Sequence, residues 1–84
     1  MNVSLHRAND RVHFVARNND GAEIHIDGAP AIGGEGAGLR PMETLLAALA
    51  TCASMDLVEI LRKQRAGLED IEIDVNGTRP DTSP

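Results

Sequence analysis

Eighty-four residues allow one small domain, which buries only about 60–65% of its unfolded surface. A single cysteine excludes the internal disulfide that usually compensates. A net charge of −5 argues against general nucleic-acid binding, which needs a basic footprint. Leu, Ile, Val and Phe number 20, enough for a folded chain, but Phe14 is the lone aromatic. Such a core predicts pairing with a second copy, further chain, or both. No segment reads as a membrane span. The polar start, residues 1–10, lacks the apolar run of a signal peptide, so a reducing, cytoplasmic setting is expected.

A first strand is expected at about residues 3–7, with Asn9-Asp10 as a turn signal. Val12, Phe14 and Ala16 alternate with Arg11, His13, Val15 and Arg17, the period-2 pattern of a half-buried strand over about 11–18. Asn18-Asn19-Asp20-Gly21 then signals a hairpin. The return strand, about 22–27, sets Ala22, Ile24 and Ile26 on one face and Glu23, His25 and Asp27 on the other. These elements predict an antiparallel meander with one wet face. A loop follows with glycines at 28, 33, 34, 36 and 38.

Pro41 opens the most strongly signalled helix, about residues 41–65. Glu43 complements the positive end of its dipole, and Arg62, Lys63 and Arg65 the negative end; Gly67 is the stop. From Leu45 to Ala53 it carries no charge on any face, which predicts burial all round. Ile71, Ile73 and Val75, alternating with Glu72 and Asp74, predict a last strand at about 69–75.

Cys52 lies in the uncharged part of the helix. The pattern favours a small buried hydrophobe there. The helix amino terminus is too distant to favour a thiolate, so nucleophilic chemistry needs a cationic neighbour from elsewhere, and Asp56 and Glu59 oppose it. The glycine loop lacks the Gly-Lys-Ser/Thr ending of a phosphate loop and has Leu39 where a dinucleotide fingerprint needs its third glycine, so no nucleotide cofactor is expected. His13 and His25 can face each other across the hairpin. Without a carboxylate third ligand they read as a surface pair, and no metal is assigned.

The run from Ile32-Gly33-Gly34-Glu35-Gly36-Ala37-Gly38-Leu39-Arg40-Pro41-Met42-Glu43 through the Ala-rich helix to Thr51-Cys52-Ala53-Ser54-Met55-Asp56 resembles the OsmC-like superfamily, which includes osmotically inducible and organic hydroperoxide resistance proteins. The resemblance continues through residues 58–65, Ile71-Glu72-Ile73-Asp74-Val75 and Gly77-Thr78-Arg79. It implies an α/β (α+β) fold in which a long buried central helix packs on antiparallel strands and two subunits intertwine as a homodimer. It also implies that residues 1–84 are the amino-terminal part of a single OsmC-like domain. In the family's peroxidases a helix cysteine attacks the peroxide, assisted by an arginine and a glutamate, and a second cysteine resolves the sulfenic acid. Cys52 matches the attacking position.

Arg17 is the nearest counterpart of the arginine. The glutamate position falls, by spacing, on Met42. Glu43, one residue on, is nine residues before Cys52 and about half a turn away around the helix, as in the less characterised OsmC-like branch. With no second cysteine among these residues, the resolving step is expected to use an external thiol or a cysteine in a further, carboxy-terminal part. The expected activity is therefore reduction of a small hydrophobic organic hydroperoxide through Cys52, with Arg17 and Glu43 assisting and no cofactor, nucleic acid or membrane involved. The alternative is a non-catalytic dimeric stress-response or small-ligand-binding protein in which Cys52 only packs.

Overall fold

The computed structural model describes residues 1–64, 67 and 71–78. The chain divides into two compact units, Met1–Thr44 and Leu45–Pro84. The first contains strands β1 (Val3–Arg7), β2 (Phe14–Asn18) and β3 (Glu23–Ile26), followed by a short 3-10 turn, Pro30–Ile32. The helix α1 (Pro41–Lys63) begins at its end. Among the described residues, a three-stranded antiparallel sheet and one α-helix make an α+β arrangement, and the strands lie in the order β1-β2-β3 of the expected meander.

The register sets Leu5, Ala16 and Ile24 in one row and Phe14 beside Ile26 on the same face. The other face carries His6, Val15 and His25 in a row, flanked by Arg17 and Glu23. Val15 and Ala16, on opposite faces of the central strand, are the buried apolar residues among those described.

β2 begins at Phe14 rather than at 11 because residues 9–13 are spent on a turn. Asn9 Oδ1 accepts the Arg11 and His13 N–H groups at 2.9 and 3.1 Å, which diverts both from a ladder. The hairpin turn forms as its residues predict. Asn18 Oδ1 accepts the Asp20 and Ala22 N–H groups, each at 3.0 Å. β3 covers 23–26 instead of 22–27. Asp27, expected on the wet face, is 2% exposed and lies past the strand end, where the chain turns into the glycine loop.

In the second unit, the helix is not the buried element that its composition predicts. No residue of α1 is buried, and Leu45, Leu49, Met55, Leu57, Val58 and Ile60 are exposed. Half-buried positions within this unit recur at Leu46, Ala50, Ser54 and Leu61, a stripe along one face. Residues 71–77 contribute to its cover: Ile71 and Ile73 line a shallow pocket with Ser54, Met55 and Val58, and Gly77 sits against Leu46.

Residues 71–78 form no strand, contrary to the alternation of Ile71, Ile73 and Val75; positions 69 and 70 of that expected strand lie outside the described residues. The alternating apolar side chains serve the helix instead, with Ile71 and Ile73 lining the pocket beside Ser54, Met55 and Val58. The helix ends at Lys63, and Arg65 is also outside the described residues. Contrary to the expectation that no segment is long and apolar enough, α1 passes as a membrane span by length and composition alone. Core helices of soluble proteins satisfy the same criterion.

Candidate functional site

The glycine loop is organised by a carboxylate. Asp27 Oδ1 accepts the Gly28 N–H at 2.8 Å, and Oδ2 accepts the Glu35 and Ala37 N–H groups at 3.0 Å each. These bonds, led by those from Ala37 and Glu35, hold the Asp27 carboxyl below its ordinary range. The Asp27 N–H meanwhile donates to the Leu39 carbonyl at 2.9 Å, and Ile26 and Leu39 form a parallel bridge. Eleven loop residues, Gly28 to Gly38, are thus tied at both ends to the tip of β3.

Two glycines are required by close backbone approach. A Cβ on Gly34 would lie 1.7 Å from the Gly28 carbonyl oxygen, and one on Gly38 would lie 2.1 Å from that of His25. The loop therefore returns to its own origin before the helix starts. It is not a phosphate cradle, since Asp27 already occupies the N–H groups that an anion would seek.

The loop delivers Arg40, whose N–H donates to Glu43 Oε1 at 2.9 Å, the reach-back half of a capping box. Thr44 returns both its N–H (2.9 Å) and its hydroxyl (3.0 Å) to the Arg40 carbonyl, closing the first turn. Glu43 thus serves the helix start, as expected of an acid in the first turn.

Arg17 is on β2 and pairs across the ladder with Glu23. Nε donates to Oε2 at 2.8 Å and Nη2 lies 2.6 Å from the same oxygen. This guanidinium lowers the Glu23 pKa, first by its hydrogen bond and then by its charge. On the same face His13 Nε2 and His25 Nδ1 lie 2.8 Å apart, so one donates and the other accepts. The opposite nitrogen of His25 is 3.7 Å from Glu23 Oε1. Among the described residues, no group of three or more His, Cys, Asp or Glu side chains is placed to hold a metal ion.

Cys52 is a free thiol on α1, and it is exposed rather than packed. Its polar neighbours are occupied. The Thr51 hydroxyl donates to the Ala47 carbonyl and that of Ser54 to Ala50, each at 2.7 Å. Back-bonding of this kind satisfies hydroxyls within an otherwise apolar helix. Glu59 is engaged by Arg62 one turn on.

Of the residues singled out from the sequence, Arg17 is engaged by Glu23 and Glu43 by the Arg40 N–H, while Cys52 is an exposed free thiol on α1. Asp27 was missed because strict alternation assigned it to the wet face. Its signal was an acidic residue immediately before glycine at the mouth of a glycine-rich loop, where short side chains bond nearby backbone.

No curated protein matches the chain significantly. A family model described as OsmC-like protein matches residues 34–84, from the second half of the glycine loop through Arg40-Pro41 and the whole helix bearing Cys52. More than half of the sequence lies within that match, and the chain belongs to the OsmC-like family.

Proposed function

We propose that the chain is a thiol-dependent peroxidase acting on organic hydroperoxides through Cys52, in a reducing cytoplasmic setting. The observation that supports this most is the exposed thiol at the centre of a helix inside the family-matched segment. The Cys52 thiolate attacks the terminal peroxide oxygen, the O–O bond breaks, and the leaving alkoxide takes a proton to become an alcohol. The sulfur is left as a sulfenic acid. An external thiol then condenses with it, releasing water and forming a mixed disulfide, and a second thiol restores Cys52 and leaves as the oxidised reductant.

Arg17 is proposed as the cation that favours the thiolate, and Glu43 as the helix-start carboxylate of the site. The uncharged run around Cys52 suits a greasy hydroperoxide better than hydrogen peroxide. Consumption of cumene hydroperoxide with dithiothreitol tests the reading, with wild type compared against Cys52→Ser and the sulfenate trapped by a dimedone probe. Wild-type turnover that Cys52→Ser abolishes is expected; equal peroxide loss in both ends the catalytic reading.

A second reading is favoured by the helix surface. A 23-residue helix with no buried residue calls for cover, and a second copy of the chain is the proposed source. Such a homodimer is compatible with catalysis. It also leaves room for a non-catalytic dimeric stress-response or small-ligand-binding protein, in which Cys52 is packed by the partner.

A further inference from the structure

We propose that Asp27 is a positioning residue of this site: its carboxylate is an internal anion in a nest of three backbone N–H groups, and the loop folded around it fixes the head of α1. The inference rests on the peroxidase reading only where it concerns Glu43's role in turnover. The geometry carries it. Gly28, Glu35 and Ala37 all donate to one side chain that is 2% exposed, so the loop closes on a carboxylate rather than on apolar packing.

The same residue's N–H holds the Leu39 carbonyl at 2.9 Å, and Leu39 precedes Arg40, whose N–H fixes Glu43 Oε1. One residue therefore anchors the loop by its side chain and the helix entry by its backbone. The charged groups near this nest are His13, next to β2, and Arg11 and Glu35, which pair at 3.5 Å. Neither His13 nor Arg11 donates to the Asp27 carboxylate, whose oxygens are bonded to backbone N–H groups. Three N–H donors converging on one carboxylate make a charge-assisted set that an amide or a methyl group cannot replace.

The experiment is amide hydrogen exchange on the full chain by NMR. In Asp27→Ala, the Glu35, Ala37 and Arg40 amides are expected to exchange at least about tenfold faster than in wild type. Sodium formate, a carboxylate small enough for the vacated nest, should restore protection where sodium chloride at equal ionic strength does not. Faster exchange at Glu35 and Ala37 with Arg40 unchanged overturns the positioning role, and equal effects of formate and chloride overturn the internal-anion role. Should Asp27→Ala fail to fold, acid titration of the wild type decides. The Gly28, Glu35, Ala37 and Leu39 amide resonances are expected to shift on one common curve, and a Leu39 resonance that stays still while the others move overturns the proposal.

Hydroperoxide turnover supplies the arm that a merely structural role would not reproduce. Asp27→Asn is expected to slow turnover roughly tenfold and to add nothing in a Glu43→Gln background, whereas independent multiplicative losses contradict action through Glu43. A wild type without turnover defeats the peroxidase reading alone, and the exchange data still judge Asp27.

Discussion

Asp27 Oδ2 accepts the Ala37 N–H at 3.0 Å, joining two residues ten positions apart across the glycine loop. The bond makes loop closure electrostatic. The loop offers few apolar side chains, so little hydrophobic burial is available to hold it. A carboxylate that satisfies several N–H groups at once does this with one side chain.

Acid should therefore loosen the loop. The folded-state pKa of Asp27 is lowered from its ordinary 3.8 by the Ala37, Glu35 and Gly28 N–H groups. The folded state thus binds this proton more weakly than the unfolded state does. The stabilisation is fully present above the ordinary value and is lost as pH falls through the lowered one. Glu23, lowered from 4.5 by Arg17, has the same sign but is exposed to solvent and adds little. Urea midpoints should be flat above about pH 5.5 and should decline progressively below about pH 4.5. The decline should be shallower in Asp27→Asn, which has no such carboxylate to protonate. Equal acid sensitivity of both proteins would show that other groups control it.

Gly34→Ala and Gly38→Ala should each destabilise the first unit by about 2–3 kcal/mol, because backbone must move to admit a methyl group. The clashes are with carbonyl oxygens, at 1.7 and 2.1 Å, and not with side chains that could swing aside. Urea unfolding followed by the Val15 and Ala16 NMR resonances measures the effect. A change below about 0.5 kcal/mol at both positions, the range of ordinary surface substitutions, would refute the close approach.

The meander was legible because its signals are local. Alternation around Phe14 and Ala16 and the Asn-Asp-Gly turn each point to one structure, and Pro41 with Glu43 fixes a helix start. What escaped depended on partners. Asp27 looks like an outward strand residue until the chain turns after Ile26, and two of its three N–H partners come from residues 35 and 37. Ile71 and Ile73 alternate like a strand, but here they lie along a helix. The composition of Leu45 to Ala53 states what surroundings the helix suits, and the described residues of its own unit do not cover all its faces. Cys52 illustrates the same limit, since its pattern favoured packing and its thiol is exposed.

Arg17→Ala separates chemistry from stability. The Arg17–Glu23 pair is on the surface, with 51% and 37% of the respective side chains exposed, so solvent screens it and its loss should leave the urea midpoint nearly unchanged. If Arg17 favours the Cys52 thiolate, hydroperoxide turnover should fall roughly 10²-fold, with Arg17→Lys recovering part of it. A stable variant with undiminished turnover would remove Arg17 from the site.

Leu49 tests what covers α1. It is 61% exposed, and in an isolated chain a Lys there would change stability by no more than about 0.5 kcal/mol. If a second copy covers the helix, the same substitution buries an ammonium group in an apolar interface. It should then weaken dimerisation at least tenfold, about 1.4 kcal/mol. Sedimentation equilibrium should find wild type as a dimer and Leu49→Lys shifted toward monomer at equal concentration. The membrane alternative raised by the helix's length predicts instead that wild type co-floats with neutral phosphatidylcholine vesicles and that Leu49→Lys does so less. A monomeric wild type that ignores vesicles would mean that α1 remains uncovered by either route, and the second-copy proposal would fall with it.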